Sequence, residues 1–445
     1  MNLIEGILAK ALVNTLPIIE SFWWVIAIVL FVNWFKGWWL KRVRSAFIAN
    51  IDWILLEVKI PKENVRPPKA MEQVFTALHA TYSGGIDKWE DIWIKGEVEE
   101  WMSCEMVSSR NGIRFMVKTP RKYRNLVESA FFSQYPEAEI VLAEEYVSEL
   151  GELPNEEYDI WGNDLLLARE SAYPLKTHRY FSEGKKIEEG LLDPIAMIAE
   201  VMSLLKDDER LWIQILIRPT GDGWKKETEK IVGEKMGRKK KEEKKEVSLI
   251  VEFGLFLWQV MTALFVTPSE VKKEEEKPEK PVTLTDSEKK VIEEIELKAS
   301  KVGFETVIRI LYIDKKGAFT RENVSAISGA FRQFDTQHLN AFKGFKGTRV
   351  SPSRWFFKGS ALLRRKKTMY ANYVKRSGKL GTVMGPLQEF VRSFYADEKV
   401  PLPVLNAEEL ATLFHPPITE IVSAQGLRSV EVVKGGPPPN LPISP

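Results

Sequence analysis

Apolar positions along this chain follow three patterns. The first is continuous. From Pro17 to Leu40 only Glu20, Ser21, Asn33, Lys36 and Gly37 interrupt an apolar run, and Phe22 to Val32 carries no polar side chain beyond two indole N–H groups. Roughly 20 helical residues cross the hydrocarbon of a bilayer, so the run predicts a transmembrane helix with a basic flank over residues 17–44. Trp23 and Trp24 mark one end and Trp34, Trp38 and Trp39 the other, as an aromatic belt requires. Lys36, Lys41, Arg42 and Arg44 crowd the C-terminal side, whereas only Lys10 precedes the run. That bias predicts a single-pass protein of the cell membrane, with residues 1–16 outside and the body in the cytoplasm. A cleaved signal peptide fits poorly, because no basic segment precedes the run and no small-residue cleavage site follows it. A buried core helix is the competing reading.

The second and third patterns alternate. Trp53–Ile60 reads as a strand, and Pro67 and Pro68 introduce a helix near Ala70–Tyr82 with Met71, Val74, Phe75 and Leu78 at helical spacing. Strands follow over Trp93–Ser108 and Gly112–Lys118, joined by the turn signal Arg110-Asn111-Gly112. A helix then runs from Pro120 to Gln134, and Ala138–Ala143 is a last strand. The order β-α-β-β-α-β predicts a ferredoxin-like unit over 50–150. A looser second copy occupies 155–404. Its strands are Tyr158–Arg169, Leu211–Arg218 and Glu305–Asp314, its helices Asp193–Leu205 and Asn323–Phe334, and its closing strand Arg349–Lys358. The fold class is therefore α+β: a transmembrane helix followed by two ferredoxin-like units.

The second unit carries an insert over 221–285. Residues 225–246 hold ten Lys/Arg and six Asp/Glu, a solvated helix or tether. Residues 247–266 are apolar except for a narrow stripe of Ser248, Glu252, Gln259 and Thr262. Three readings compete for this segment: packing on protein, lying in a membrane interface, or a second span.

Composition narrows the chemistry. The chain has 445 residues, 44% hydrophobic and 28% charged, so it can bury real cores. One cysteine, Cys104, excludes a disulfide framework and a multi-cysteine metal site. His79, His178, His338 and His415 are isolated in sequence, and no phosphate loop, dinucleotide fingerprint or nucleophile elbow occurs. These observations predict no catalytic residue, no cofactor and no metal, hence a protein that is not an enzyme. Charge is segregated, however. Between Thr336 and Gln388 stand twelve Lys/Arg and no Asp or Glu, within a chain whose net charge is +2, so the remaining residues carry −10. Aromatics interleave with these cations. Arg354, Trp355, Arg364, Arg365, Lys366 and Lys367 are the candidate contacts for nucleic acid or anionic lipid, since cations bind phosphates and rings stack on bases. An acidic protein partner is the third reading of the block.

Three stretches carry a resemblance: Pro120–Ile140 (PRKYRNLVESAFFSQYPEAEI), Leu405–Pro417 (LNAEELATLFHPP) and Gly426–Ile443 (GLRSVEVVKGGPPPNLPI). With the apolar N-terminus and the paired αβ units, they resemble the pre-motor region of type IV secretion-like conjugation ATPases of the HerA/FtsK superfamily. They also resemble uncharacterised bacterial membrane proteins built from that region alone. In the full-length relatives this region leads into an ATPase core, whereas this chain reaches Pro445 without a Walker motif. The resemblance thus implies an anchor or adaptor for a DNA-translocating ATPase supplied by another chain, and a possible homo-oligomer. Residues 405–445 would be its docking helix and proline-rich tail, with Glu409, Leu410, Leu413, Phe414, Pro437, Pro438 and Pro439 as contacts. Leu410, Leu413 and Phe414 lie at i, i+3 and i+4, a face that suits a core as well as an interface. The alternative function is a membrane-tethered nucleic-acid-binding module using the basic block.

Overall fold

The computed structural model describes residues 24, 27–28, 30–61, 64–109, 112–182, 192–236, 284–351, 358–378, 402–418 and 429–430. The first strand, β1 (Trp53–Pro61), alternates its apolar side chains between two buried faces. Pro68 then opens α2 (Pro68–Leu78), where its missing N–H costs nothing, and Met71, Val74, Phe75 and Leu78 form the buried stripe. A hairpin of β2 (Met102–Ser109) and β3 (Gly112–Pro120) follows, then α3 (Arg124–Gln134) and β4 (Glu139–Leu142). The later elements are β5 (Tyr158–Leu167), α4 (His178–Ser182), α5 (Ala196–Ser203), β6 (Arg210–Thr220), α6 (Gly223–Lys235), α7 (Asp286–Ala299) and β7 (Gly303–Lys315). They are followed by α8 (Arg321–Phe331), β8 (Phe342–Gly344), α9 (Lys358–Val374), β9 (Val404–Asn406), α10 (Ala407–Leu413) and β10 (Ser429–Val430).

The strands form one sheet of order β10-β1-β3-β2-β6-β7-β5-β8, with β4 also on β1 and β9 also on β7. All pairings are antiparallel except that of β10 with β1. This corrects the expectation of two ferredoxin-like units behind a membrane helix. The strands run on from one half to the other, because β2 and β6 pair directly from Met102↔Ile217 to Val107↔Trp212. The pairing buries both strands, so neither serves as a solvated edge. The closing strand also differs. The strand that closes the sheet on β5 is Phe342–Gly344; most of the expected strand Arg349–Lys358 lies outside the described residues, and Lys358 starts the unforeseen helix α9.

The second correction concerns the membrane. No helix among the described residues is long and apolar enough to cross one. The continuous helix α1 (residues 30–49) carries Lys36, Lys41, Arg42 and Arg44, too many charges for hydrocarbon. A single-pass protein of the cell membrane is therefore not supported. Trp24, Trp34, Trp38 and Trp39 of the expected anchor are exposed, as are Lys41 and Arg42, and the Trp39 indole donates to the Trp93 carbonyl at 2.7 Å. Trp23, residues 1–16 and most of the insert lie outside the described residues.

Each face of the sheet has its own core. On one face α2, α3, α5, α8 and α10 cover Leu56, Val117, Ile213, Ile215 and Ile310. On the other, α9 and the 146–153 segment cover Leu55, Met116, Trp212, Leu311 and Ile313.

Candidate functional site

Helix α9 sorts the basic block into inner and outer cations. Met369, Tyr370 and Tyr373 turn inward and are buried. The Tyr370 hydroxyl donates to the carbonyl oxygens of Val147 at 2.9 Å and Gly151 at 2.6 Å. Lys366 pairs with Asp159 at 2.6 Å, and Arg365 donates to the Ser351 carbonyl at 3.3 Å. Three further cations, Arg364, Lys367 and Lys375, point to solvent at positions i, i+3 and i+11, one stripe of the helix and its C-terminal turn. Lys343, Lys346 and Arg349, in and after β8, are exposed as well. A shallow groove of about 230 Å³ flanks the helix, lined by Pro154, Asn155, Lys316, Leu362 and the Lys366–Asp159 pair.

Beneath the C-terminal end of α9 a row of polar side chains crosses the centre of the sheet. Glu105 on β2 lies opposite Gln214 on β6, Gln214 opposite Arg309 on β7, and Arg309 opposite Asp164 on β5. All four are completely buried. Gln214 donates to Glu105 at 3.1 Å, and Arg309 donates to Gln214 at 3.2 Å and to Asp164 at 2.8 Å. Arg376, just beyond α9, closes the row by donating to the two Glu105 oxygens at 2.8 and 3.2 Å and to Glu145 at 3.0 Å. Burial alone would raise the Glu105 carboxyl, but Arg376 and the hydroxyls of Ser103 and Tyr146 outweigh it and hold it below the usual carboxylate range. Burial, reinforced by Glu105, pushes Tyr146 and Tyr373 well above the usual phenol range, so both stay neutral and share a hydrogen bond of 2.6 Å. Burial and Arg376, opposed by Glu105, bring Lys118 down to about 8.

The row also terminates the helix. Arg309 donates to the carbonyls of Asn372 at 2.9 Å and Ser377 at 3.3 Å, and Gln214 donates to that of Tyr373 at 3.1 Å. The Asn372 and Tyr373 carbonyls also accept from the backbone N–H groups of Ser377 and Arg376, each at 3.0 Å, so the side chains add second donors to the helix end. Arg376 adopts a left-handed backbone with φ 47°, a strain of about 1 kcal/mol for a side chain with a Cβ, offset by its paired carboxylates. The row is thus an internal clamp that fixes α9 over the junction of β2 with β6. Its residues were not candidates in the sequence. The available signal was a polar residue inside each of four strands, diluted by neighbours such as Ser103, Asn163 and Thr306.

A family model matches residues 47–372, and its description reads "Domain of unknown function (DUF8128)". The chain belongs to the DUF8128 family. The matched stretch contains β1 to β8, the row from Glu105 to Asp164 and α9 as far as Asn372. No curated protein matches the chain. Family membership therefore establishes kinship and assigns no activity.

The expected docking segment lies beyond the DUF8128 match and is folded into this chain's own core. Glu409, Leu410, Leu413 and Phe414 are at most 2% exposed. Asn406 and Glu409 form a reciprocal capping box that starts α10. Glu409 pairs with Lys298 at 3.0 Å, both side chains fully buried, and accepts from the Leu175 N–H at 2.8 Å. Glu408 accepts from Thr177, Arg179 and Lys301, which hold its carboxyl down at about 2 against the opposing effect of burial. Phe414 packs edge-on against Phe115 and Phe75, with ring centroids 5.6 and 6.4 Å apart. Cys104 is buried in β2, where desolvation raises its thiol and keeps it unreactive. Arg354, Trp355, Pro437, Pro438 and Pro439 lie outside the described residues.

Proposed function

We propose that this chain is a non-enzymatic module that holds nucleic acid by its phosphates, on the outward stripe of α9 and the adjacent 343–349 segment. The observation that carries this reading is the sorting of the basic block. Arg365, Lys366 and Arg376 serve the chain's own fold, whereas Arg364, Lys367, Lys375, Lys343, Lys346 and Arg349 are exposed, in a stretch without one acidic side chain. Such a face attracts a polyanion and releases its counterions. Tyr370 and Tyr373 pack inward beneath the helix, so phosphate contact rather than ring stacking is the mode of binding for the described part of the block. The resemblance to the pre-motor region of HerA/FtsK-type ATPases supports DNA as the nucleic acid and a separate ATPase chain as the neighbour. Glu409, Leu410, Leu413 and Phe414 are buried in this chain's own core, so this reading assigns the neighbour a different surface.

The test is a fluorescence-anisotropy titration of a labelled duplex into the full chain and into the triple variant Arg364→Glu, Lys367→Glu, Lys375→Glu. Each reversed contact removes on the order of 1 kcal/mol or more at low salt, so the variant should bind at least about a hundredfold more weakly. Its melting temperature should stay unchanged, because none of the three side chains is buried. Equal affinity of the two proteins, or no binding of the duplex at low salt, overturns the proposal.

A further inference from the structure

Charge is segregated a second time in this chain. Residues 125–168 hold eleven Asp/Glu and no Lys or Arg, the reverse of the basic block. The fold lays the two stretches side by side. Tyr370 on α9 donates to the Val147 and Gly151 carbonyls, and Lys366, one turn earlier, pairs with Asp159. The 147–159 segment therefore follows one flank of α9, the flank that Leu363 and Lys367 also border at helical spacing. Between helix and segment runs the groove of about 230 Å³, with Pro154, Asn155 and Asp159 on one wall and Leu362, Leu363 and Lys366 on the other.

The two sides of the groove carry opposite charge. Glu149, Glu152, Glu156 and Glu157 are exposed on one side, Arg364 and Lys367 on the other. Two ion pairs join the acidic stretch to the basic one, Lys366–Asp159 and Arg376–Glu145. The six exposed charges take no part in them and form no ion pair among the described residues. Lys316, whose N–H donates to the Glu157 carbonyl at 2.9 Å, is an exposed cation on the acidic side and leaves that side negative. Between the two charged sides stand Pro154, Leu362 and Leu363, the last 47% exposed.

We infer that this face is the docking surface for a second copy of the same chain, in a twofold dimer. An isologous interface needs a surface complementary to itself. A half-turn about an axis through the groove sets the cations of each copy over the acids of the other and brings the two Leu363 side chains together at the axis. An anionic partner would match the cations and be repelled by the acids, whereas a second copy matches both. Because the paired charges lie at a solvent-facing rim, the dimer is weak and dissociates as salt is raised. This inference does not rest on the nucleic-acid reading. It does draw on Arg364 and Lys367, so a duplex and a second copy exclude each other on this face.

The test is sedimentation equilibrium of the full chain without nucleic acid, so that its outcome is separate from that of the duplex titration. The wild type should dimerise, with a dissociation constant that rises at least about tenfold between about 0.05 M and about 0.5 M salt. Two charge-reversed variants sharpen the test. Arg364→Glu, Lys367→Glu makes both sides of the groove acidic, and Glu152→Lys, Glu156→Lys makes both basic. Each reversal acts twice in a twofold dimer, so each variant alone should associate at least about a hundredfold more weakly than the wild type. An equimolar mixture of the two should recover the dimer, because acidic sides then meet basic ones. All four side chains are exposed, and unchanged melting temperatures show that the variants are folded. A wild type that stays monomeric at low salt, a dimer that survives both reversals, or a mixture that stays monomeric overturns the inference.

Discussion

The Lys298–Glu409 pair tests whether segment 402–418 belongs to the chain's own core. Both side chains are fully buried, 3.0 Å apart. The Lys298 ammonium has one further acceptor, the Tyr173 carbonyl at 3.4 Å. Burial drives its proton affinity down, and Glu409 restores part of it. Lys298→Met leaves a buried carboxylate held only by the N–H groups of Leu175 and Asn406. Glu409→Gln leaves a buried ammonium with a neutral amide and a distant carbonyl. Breaking a fully buried pair from one side costs about 3–5 kcal/mol, most of it the desolvation of the stranded charge. The double variant Lys298→Met, Glu409→Gln strands no charge, so it should recover about 2 kcal/mol relative to the sum of the single changes. Urea unfolding followed by circular dichroism measures all four corners of the cycle. Losses below about 1 kcal/mol in both single variants would refute the reasoning, because they would place the pair in solvent and the segment outside the core.

Other expectations follow from the same geometry. Phe414→Ala, at a ring 2% exposed and packed on Phe75 and Phe115, should cost about 3–5 kcal/mol in the same unfolding assay, with no partner present. Arg376→Met strands Glu105 beneath α9 and should cost about 3–5 kcal/mol, with a loss of hydrogen-exchange protection concentrated in Met369–Val374. In acid, both His178 and Glu408 favour unfolding, because each binds its proton more weakly in the folded chain. His178, lowered to about 4, contributes stability that is complete above about pH 6.5 and is lost as the pH falls to 4, an effect of about 2–3 kcal/mol after allowing for its partial exposure. Glu408, at about 2, contributes above its ordinary range near pH 4.5 and loses that contribution on the way down to pH 2. A urea midpoint that holds steady from pH 6.5 to 4, or a His178→Gln variant that falls as steeply as the wild type, would contradict this assignment.

Period-2 and helical patterns made most elements legible in the sequence, from β1 and α2 through β7 and α8. The runs that misled were those whose outcome depends on distant partners. LWIQILIR reads as a buried strand, but nothing local says that its neighbour is Met102–Val107 of the other half. Lys358–Val374 carries so many cations that its apolar stripe of Met369, Tyr370 and Tyr373 is diluted, and a helix against the sheet was not foreseen. The buried row was hidden for a related reason. Glu105, Gln214, Arg309 and Asp164 lie far apart in sequence and become one row only through strand register. Leu410, Leu413 and Phe414 were correctly read as one apolar face, but helical spacing is the same for a face that meets a partner and one that meets its own α2 and Phe115.

The central claim, phosphate binding by the outward face of α9, is most directly tested by the salt dependence of duplex affinity for the full chain. Six exposed cations in contact with phosphates predict a slope of log K against log salt of about −5, and reversal of Arg364, Lys367 and Lys375 should reduce it to about −3 or less. A slope near zero for the wild type, or the same slope in the triple variant, would contradict the account.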